Sequence, residues 1–185
     1  MKKIFALLLA LCLLCLSASA LAETVTEEKA LELDGFSLIL EPGEYYAVAD
    51  EKVASQIYVQ VAPYYGDGDS STNYNIVWAG DVFEITVEEL TAEAPSIEAN
   101  MRSGLEAQGI TVDSIDIDEP YDATINGVPC VAFDYVLHIS YLSLSLDTYG
   151  REIVVGSIGY IFTMSAASPE LLEKVTQTLT DALVF

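Results

Sequence analysis

A cysteine, an acid and a histidine recur at four-residue intervals as Cys130, Asp134 and His138, the residue types of a nucleophile, an orienting carboxylate and a base. The chemistry depends on the element that carries them. Residues 128–139 read as a β-strand, and the three share its even-numbered face. A strand rises about 3.3 Å per residue, so neighbouring members stand about 13 Å apart and the outer two about 26 Å. A nucleophile and its base need about 3 Å. The spacing therefore excludes a triad within one strand. The odd-numbered face (Val131, Phe133, Tyr135, Leu137 and Ile139) reads as the core face, which leaves the three on the wetter side.

A second candidate is YYGDGDSSTNYN at residues 64–75. Counted from Asp67 as a helix-hand calcium loop, position 3 is Asp69 and position 5 is Ser71, but position 6 is Thr72 rather than glycine and position 12 is Trp78 rather than glutamate. The flanking runs alternate as strands, around Ile57, Val59 and Val61 and around Tyr74, Ile76 and Trp78. The segment reads as the tip of a long hairpin. A looser, weak calcium site at Asp67 and Asp69, completed by backbone carbonyls, is the alternative it leaves open.

The remaining chemistry is sparse. With 29 acids in the chain, no carboxylate pair stands out, and Asp116 and Asp118 alternate with Ile115 and Ile117 as the solvated face of a strand. No phosphate-binding loop, nucleophile elbow or Cys-x-x-Cys motif is present, and His138 is the single histidine. The site assignment is accordingly none: no catalytic, cofactor or metal residue is singled out. A hydrolase using an unrecognised carboxylate is a third alternative. The tyrosine doublets Tyr45–Tyr46 and Tyr64–Tyr65 place one ring of each pair on either face of a strand, so one can serve contact with a partner.

The elements that position these residues follow from pattern. Lys2 and Lys3, an uncharged apolar run over 4–16 and a small-x-small ending at Ala20 and Ala22 form a signal peptide over 1–22, cleaved between Ala22 and Glu23. Neither Cys12 nor Cys15 follows a small residue, so no lipid attachment is expected. Residues 23–185 are then one secreted, soluble domain of 185 − 22 = 163 residues. Its single cysteine, Cys130, allows no internal disulfide, so the core must hold it. The net charge of −22 becomes −24 after two lysines leave, which excludes nucleic acid as a partner and suits cations or basic proteins.

Asp34–Gly35, Pro42–Gly43 and Asn126–Gly127 mark tight turns, with both central residues of an Asx-Gly turn at positive φ. Phe83, Ile85 and Val87 alternate as a further strand. Pro95 opens a helix whose stripe is Ile97, Met101 and Leu105; Gly109 closes it, with Ile110 folding back on Leu105. One strand is expected from about Glu152 to Met164, with Gly156 and Gly159 bare for a packed helix. Ser168 caps a last helix with Pro169 in its first turn and a stripe through Leu171, Leu172, Val175, Leu179, Ala182 and Leu183. The order strands, helix, strands, helix predicts an α+β fold, a mainly antiparallel sheet covered by two amphipathic helices.

The helix ending LEAQGITV (105–112), the hairpin INGVPCVAFDY (125–135), the run GSIGYIFTMSAAS (156–168) and the final DALVF resemble the PsbP-like α/β/α sandwich group, which includes DcrB-type exported bacterial proteins. The likeness covers residues 90–185 well and the N-terminal part loosely. It implies a small, non-enzymatic binding or accessory subunit at or outside the cell envelope, and it transfers no functional motif.

Overall fold

The structure, a computed structural model, describes residues 23–63, 65, 72–141 and 144–185. The signal-peptide reading of 1–22 and the candidate cation ligands Asp67 and Asp69 lie outside the described residues.

Among the described residues, nine strands form one antiparallel sheet. They are β1 (Glu23–Thr24), β4 (Tyr45–Val48), β5 (Gln56–Ala62), β6 (Asn73–Trp78), β7 (Thr111–Ile117), β8 (Tyr121–Ile125), β9 (Val128–Tyr141), β10 (Leu144–Val155) and β11 (Tyr160–Ala166). The order is β1-β4-β5-β6-β11-β10-β9-β7, and β8 also pairs with β9. The long β9 is shared end to end: β7 pairs with residues 135–140 and β8 with 128–132. A second, three-stranded sheet is built from β2 (Lys29–Leu33), β3 (Phe36–Leu40) and β12 (Leu183–Val184).

Each face of the large sheet buries its own core. Alternation puts Val77, Val131, Phe133, Tyr135, Val154 and Ile161 on one face, where they pack with Leu90, Ile97, Met101 and Leu105 of α1 (Val87–Ala107). The other face, with Tyr74, Ile76, Ala132, Ile153, Phe162 and Met164, packs with the small sheet and with Leu172, Val175 and Leu179 of α2 (Pro169–Ala182). An antiparallel sheet with helices on it is thus the observed α+β architecture.

The turns follow their chemistry. Asn126 and Gly127 both take positive φ, +48° and +82°, as a two-residue hairpin between right-twisted strands requires. Between β2 and β3 only Gly35 does so, at +97°. Gly109, at φ +80°, ends α1 in a left-handed cap: its N–H donates to Glu106 O, and the Ile110 N–H reaches back to Leu105 O at 3.1 Å. Ser168 caps α2 by accepting from the Leu171 N–H, with Pro169 in the first turn, as expected.

Four sequence expectations are corrected. Phe83, Ile85 and Val87 do not form a strand. Thr86 accepts from the Glu89 N–H at 3.2 Å while the Glu89 carboxylate accepts from the Thr86 N–H, a capping box that starts α1 at Val87. Pro95 therefore lies inside the helix rather than in its first turn. The expected strand from Glu152 to Met164 is a hairpin, because residues 156–158 turn and Gly159 adopts φ +70°. Gly156 and Gly159 are bare for a backbone rather than for a helix: a Cβ would sit 2.3 Å from Phe83 O at the first and 2.7 Å from Gly80 O at the second. The segment at 79–86 can lie there only because both residues are glycine, and its N–H groups donate across the contact, Ala79 to Gly159 O (2.8 Å) and Phe83 to Gly156 O (3.0 Å).

Candidate functional site

Cys130, Asp134 and His138 do share one face of β9, but tertiary packing gives them separate surroundings. Cys130 is buried against the α2-side core, and burial pushes its thiol up to about 11. The expectation that this face is the wetter one fails at this end, where Cys130 packs into the core on the α2 side. Farther along the strand the same face opens to solvent.

Asp134 is held by Arg151, its register partner on β10. The guanidinium donates through Nε to Oδ1 and through Nη2 to Oδ2, both at 2.7 Å, and Nη2 also donates to Glu173 of α2 at 2.8 Å. Tyr121 of β8 donates to the same carboxylate at 3.4 Å. Strand and helix are thereby pinned together. His138 sits between two carboxylates on neighbouring strands, with Nδ1 2.8 Å from Asp147 and Nε2 3.3 Å from Asp116. The Asp147 hydrogen bond raises its pKa most, with Asp116 adding to it. Both arrangements are ion pairs across exposed strands, not nucleophile–base contacts.

Asp116 is exposed on β7, as its alternation with Ile115 and Ile117 implies, and a bulge between Val112 and Ser114 shifts the register upstream of it. Asp118 lies just past β7 and donates its backbone N–H to Asp134 O. The tyrosine doublet at 45–46 divides between the faces as expected: Tyr45 is 47% exposed, whereas Tyr46 is buried and its hydroxyl bonds to Lys29 and Glu23. Tyr65 packs on α2, its hydroxyl 2.7 Å from Thr178 and its ring under Lys174. Among the described residues, no group of three or more histidine, cysteine or acidic side chains is placed to hold a metal.

A cleft of about 690 Å³ opens between the 79–86 segment and the β8–β9 hairpin. Phe83, Ile85, Pro129, Val131 and Val154 give it an apolar lining. Its two carboxylates come from different elements, Glu84 from the segment before α1 and Asp122 from β8, and no lysine or arginine lines it. The volume lies within the ordinary range of ligand pockets, about 300–1,000 Å³. Sequence reasoning missed this site because it read Phe83 to Val87 as a strand. The available signal was the capping box at Thr86–Glu89, which requires the preceding residues to leave the helix as a separate segment.

The architecture is PsbP-like. The cyanobacterial PsbP (CyanoP) of Synechocystis sp. PCC 6803, solved in solution, aligns with 91% of this chain and 98% of its own at TM-score 0.51 and 9% identity. LpqN of Mycobacterium tuberculosis, described as involved in cell envelope biogenesis, aligns with 85% of this chain and 90% of its own at TM-score 0.40 and 14% identity. At these identities the likeness concerns the fold. No protein-family model matches the sequence, and no curated relative does.

Proposed function

We propose that the chain is a non-enzymatic accessory domain, exported from the cell, that binds a partner protein through the cleft between the 79–86 segment and the β8–β9 hairpin. The observation that carries this reading is the pairing of an apolar lining with two carboxylates and no compensating cation. That combination suits an extended partner segment bearing a lysine or arginine beside apolar residues, because the carboxylates attract the charge and the apolar floor buries the rest. Export is supported by the signal-like sequence of residues 1–22. The PsbP-like sandwich, with its two helices on opposite faces, is a frame that presents such a cleft at one end of the sheet.

The hydrolase alternative would need an acid in apolar surroundings open to substrate. Glu152 is fully buried, with no surface open to a substrate. The acids that line the cleft, Glu84 and Asp122, are both exposed.

The test is an amide NMR titration with two short peptides of equal length, one alternating lysine and leucine, the other glutamate and leucine. The proposal expects the basic peptide alone to shift residues 82–86 and 130–131, and Glu84→Gln/Asp122→Asn to weaken it at least about fivefold. Glu170→Gln/Asp181→Asn, acidic sites away from the cleft, should leave affinity within about twofold. Shifts spread over the acidic surface, or equal losses in the two double variants, would overturn the assignment. Turnover of ester, peptide or glycoside substrates by the purified protein would overturn its non-enzymatic part.

A further inference from the structure

The α1-side face of the sheet carries an island of oxygen atoms. Across it, in register, run Phe133 (β9), Glu152 (β10), Thr163 (β11) and Asn75 (β6); the adjoining row is Tyr135, Gly150, Ser165 and Asn73. Glu152, Thr163 and Asn75 are fully buried, at 0% exposure. The Asn75 amide donates to Asn73 Oδ1 at 3.1 Å and to Thr163 Oγ1 at 3.3 Å. That fixes its orientation and turns Asn75 Oδ1 elsewhere, without a partner. Both carboxylate oxygens of Glu152 and the Ser165 hydroxyl are likewise buried and unpartnered.

An orphaned buried polar group calls for a partner, because leaving it unmet costs about 1–3 kcal/mol, and more for a charge. Here the orphans are all oxygens, on one face of three successive strands and the row beside them. Strands lie about 4.8 Å apart, so the Glu152 carboxylate can reach a point above its register partner Thr163, on the same face as Ser165 two residues along β11. Among the described residues, no protein cation serves them. Lys29 is bound to Tyr46 and Glu23, Lys52 to Asp34, Arg102 to Val112 O and Glu98, and Arg151 to Asp134 and Glu173, while Lys174 lies over the Tyr65 ring.

We propose that Glu152, Thr163 and Ser165 form a buried site for a monovalent hard cation, with sodium the fitting size and chemistry. All three ligands are oxygens, which excludes a soft metal. A single carboxylate neutralises one charge. Calcium takes six to eight oxygens and would leave an uncompensated charge in the core. Bound between strands of the sheet, the ion would tie β10 and β11 together beneath α1.

Thermal unfolding in sodium chloride and in choline chloride at matched ionic strength tests this, since matching removes the general screening that any salt offers so acidic a chain. Wild type should be stabilised specifically by sodium, with Tm rising about 3–5 °C per tenfold increase once sodium exceeds its dissociation constant. Glu152→Gln should abolish that dependence, and Ser165→Ala should move its midpoint about fivefold higher. Broadening of the sodium-23 NMR signal by wild type should vanish in Glu152→Gln. Identical curves for wild type in the two salts, or an undiminished sodium slope in Glu152→Gln, would overturn the site and leave a buried water or a protonated carboxyl in its place. If Glu152→Gln does not fold, wild type and Ser165→Ala decide: an unmoved midpoint in Ser165→Ala overturns the assignment.

Discussion

Arg151 and Asp134 face each other directly across β10 and β9 and close a two-pronged ion pair, both contacts at 2.7 Å. Neither side chain is well exposed, at 15% and 27%. The planar guanidinium matches the carboxylate, and its remaining donor capacity reaches Glu173 on α2. We expect Asp134→Ala to cost about 1–3 kcal/mol, more than a fully exposed pair would, because it strands a partly desolvated guanidinium. Urea unfolding of the two single variants and of the double variant with Arg151→Met measures the coupling. Near-zero coupling would make the pair incidental.

Glu152 titrates against its surroundings. Burial holds its carboxyl well above the ordinary value of 4.5. The unfolded chain releases this proton above that ordinary value and the folded chain does not, so the unfolded state gains with rising pH. Stability should fall by up to about 1.4 kcal/mol per pH unit between the unfolded and folded values. In sodium-free buffer, Glu152→Gln should flatten this part of the stability–pH curve. Parallel curves for wild type and variant would show that the carboxyl is not the cause.

His138 gives a separate signal of the same sign, held in its charged form by Asp147 first and Asp116 second. Its contribution is fully present below the unfolded histidine value of 6.5 and is lost as pH rises through the higher folded value. As the single histidine it can be followed by proton NMR. We expect a midpoint above 6.5, lowered more by Asp147→Asn than by Asp116→Asn. The reverse order would contradict the shorter Nδ1 contact.

Gly156 is a steric requirement of the cleft. Its Cβ would sit 2.3 Å from Phe83 O, so Gly156→Ala must push the 79–86 segment outward and break the bond from the Phe83 N–H. A loss of about 1–3 kcal/mol is expected, together with faster amide exchange at Phe83. Unchanged exchange there would show that the segment is held by other contacts.

Cys130 should be unreactive while the protein is folded. With its thiol near 11, about a thousandth is thiolate at pH 8, against about a quarter for an ordinary cysteine. Modification by a thiol-exchange reagent should run more than about 100-fold slower than in urea. Fast native modification would place the sulfur in open contact with solvent.

Much of this was legible because it is local. The Asn126–Gly127 turn, the Gly109 cap and the Ser168–Pro169 helix start each depend on residues within one turn of chain, and the stripes at Ile97–Met101–Leu105 and Leu172–Val175–Leu179 state which helix faces are buried. The misreading of Phe83 to Val87 has a local cause too: an alternating triplet imitates a strand when the capping box beside it goes unweighed. The candidate sites were less legible. Cys130, Asp134 and His138 look like a set in the sequence, yet their partners come from β10, β7 and α2, as far away as Glu173.

By itself, the sequence determined the α+β class, the two amphipathic helices, most turns and the acidic character, since each follows from periodicity, φ preference or counting. Tertiary structure decided which face of β9 is dry at Cys130 and wet at His138. It also decided that Gly156 and Gly159 admit a neighbouring backbone and that Glu152 stands among oxygens without a cation. Those outcomes depend on which strands are adjacent, and adjacency is set by burying two cores on a single sheet, a condition no short window of sequence contains.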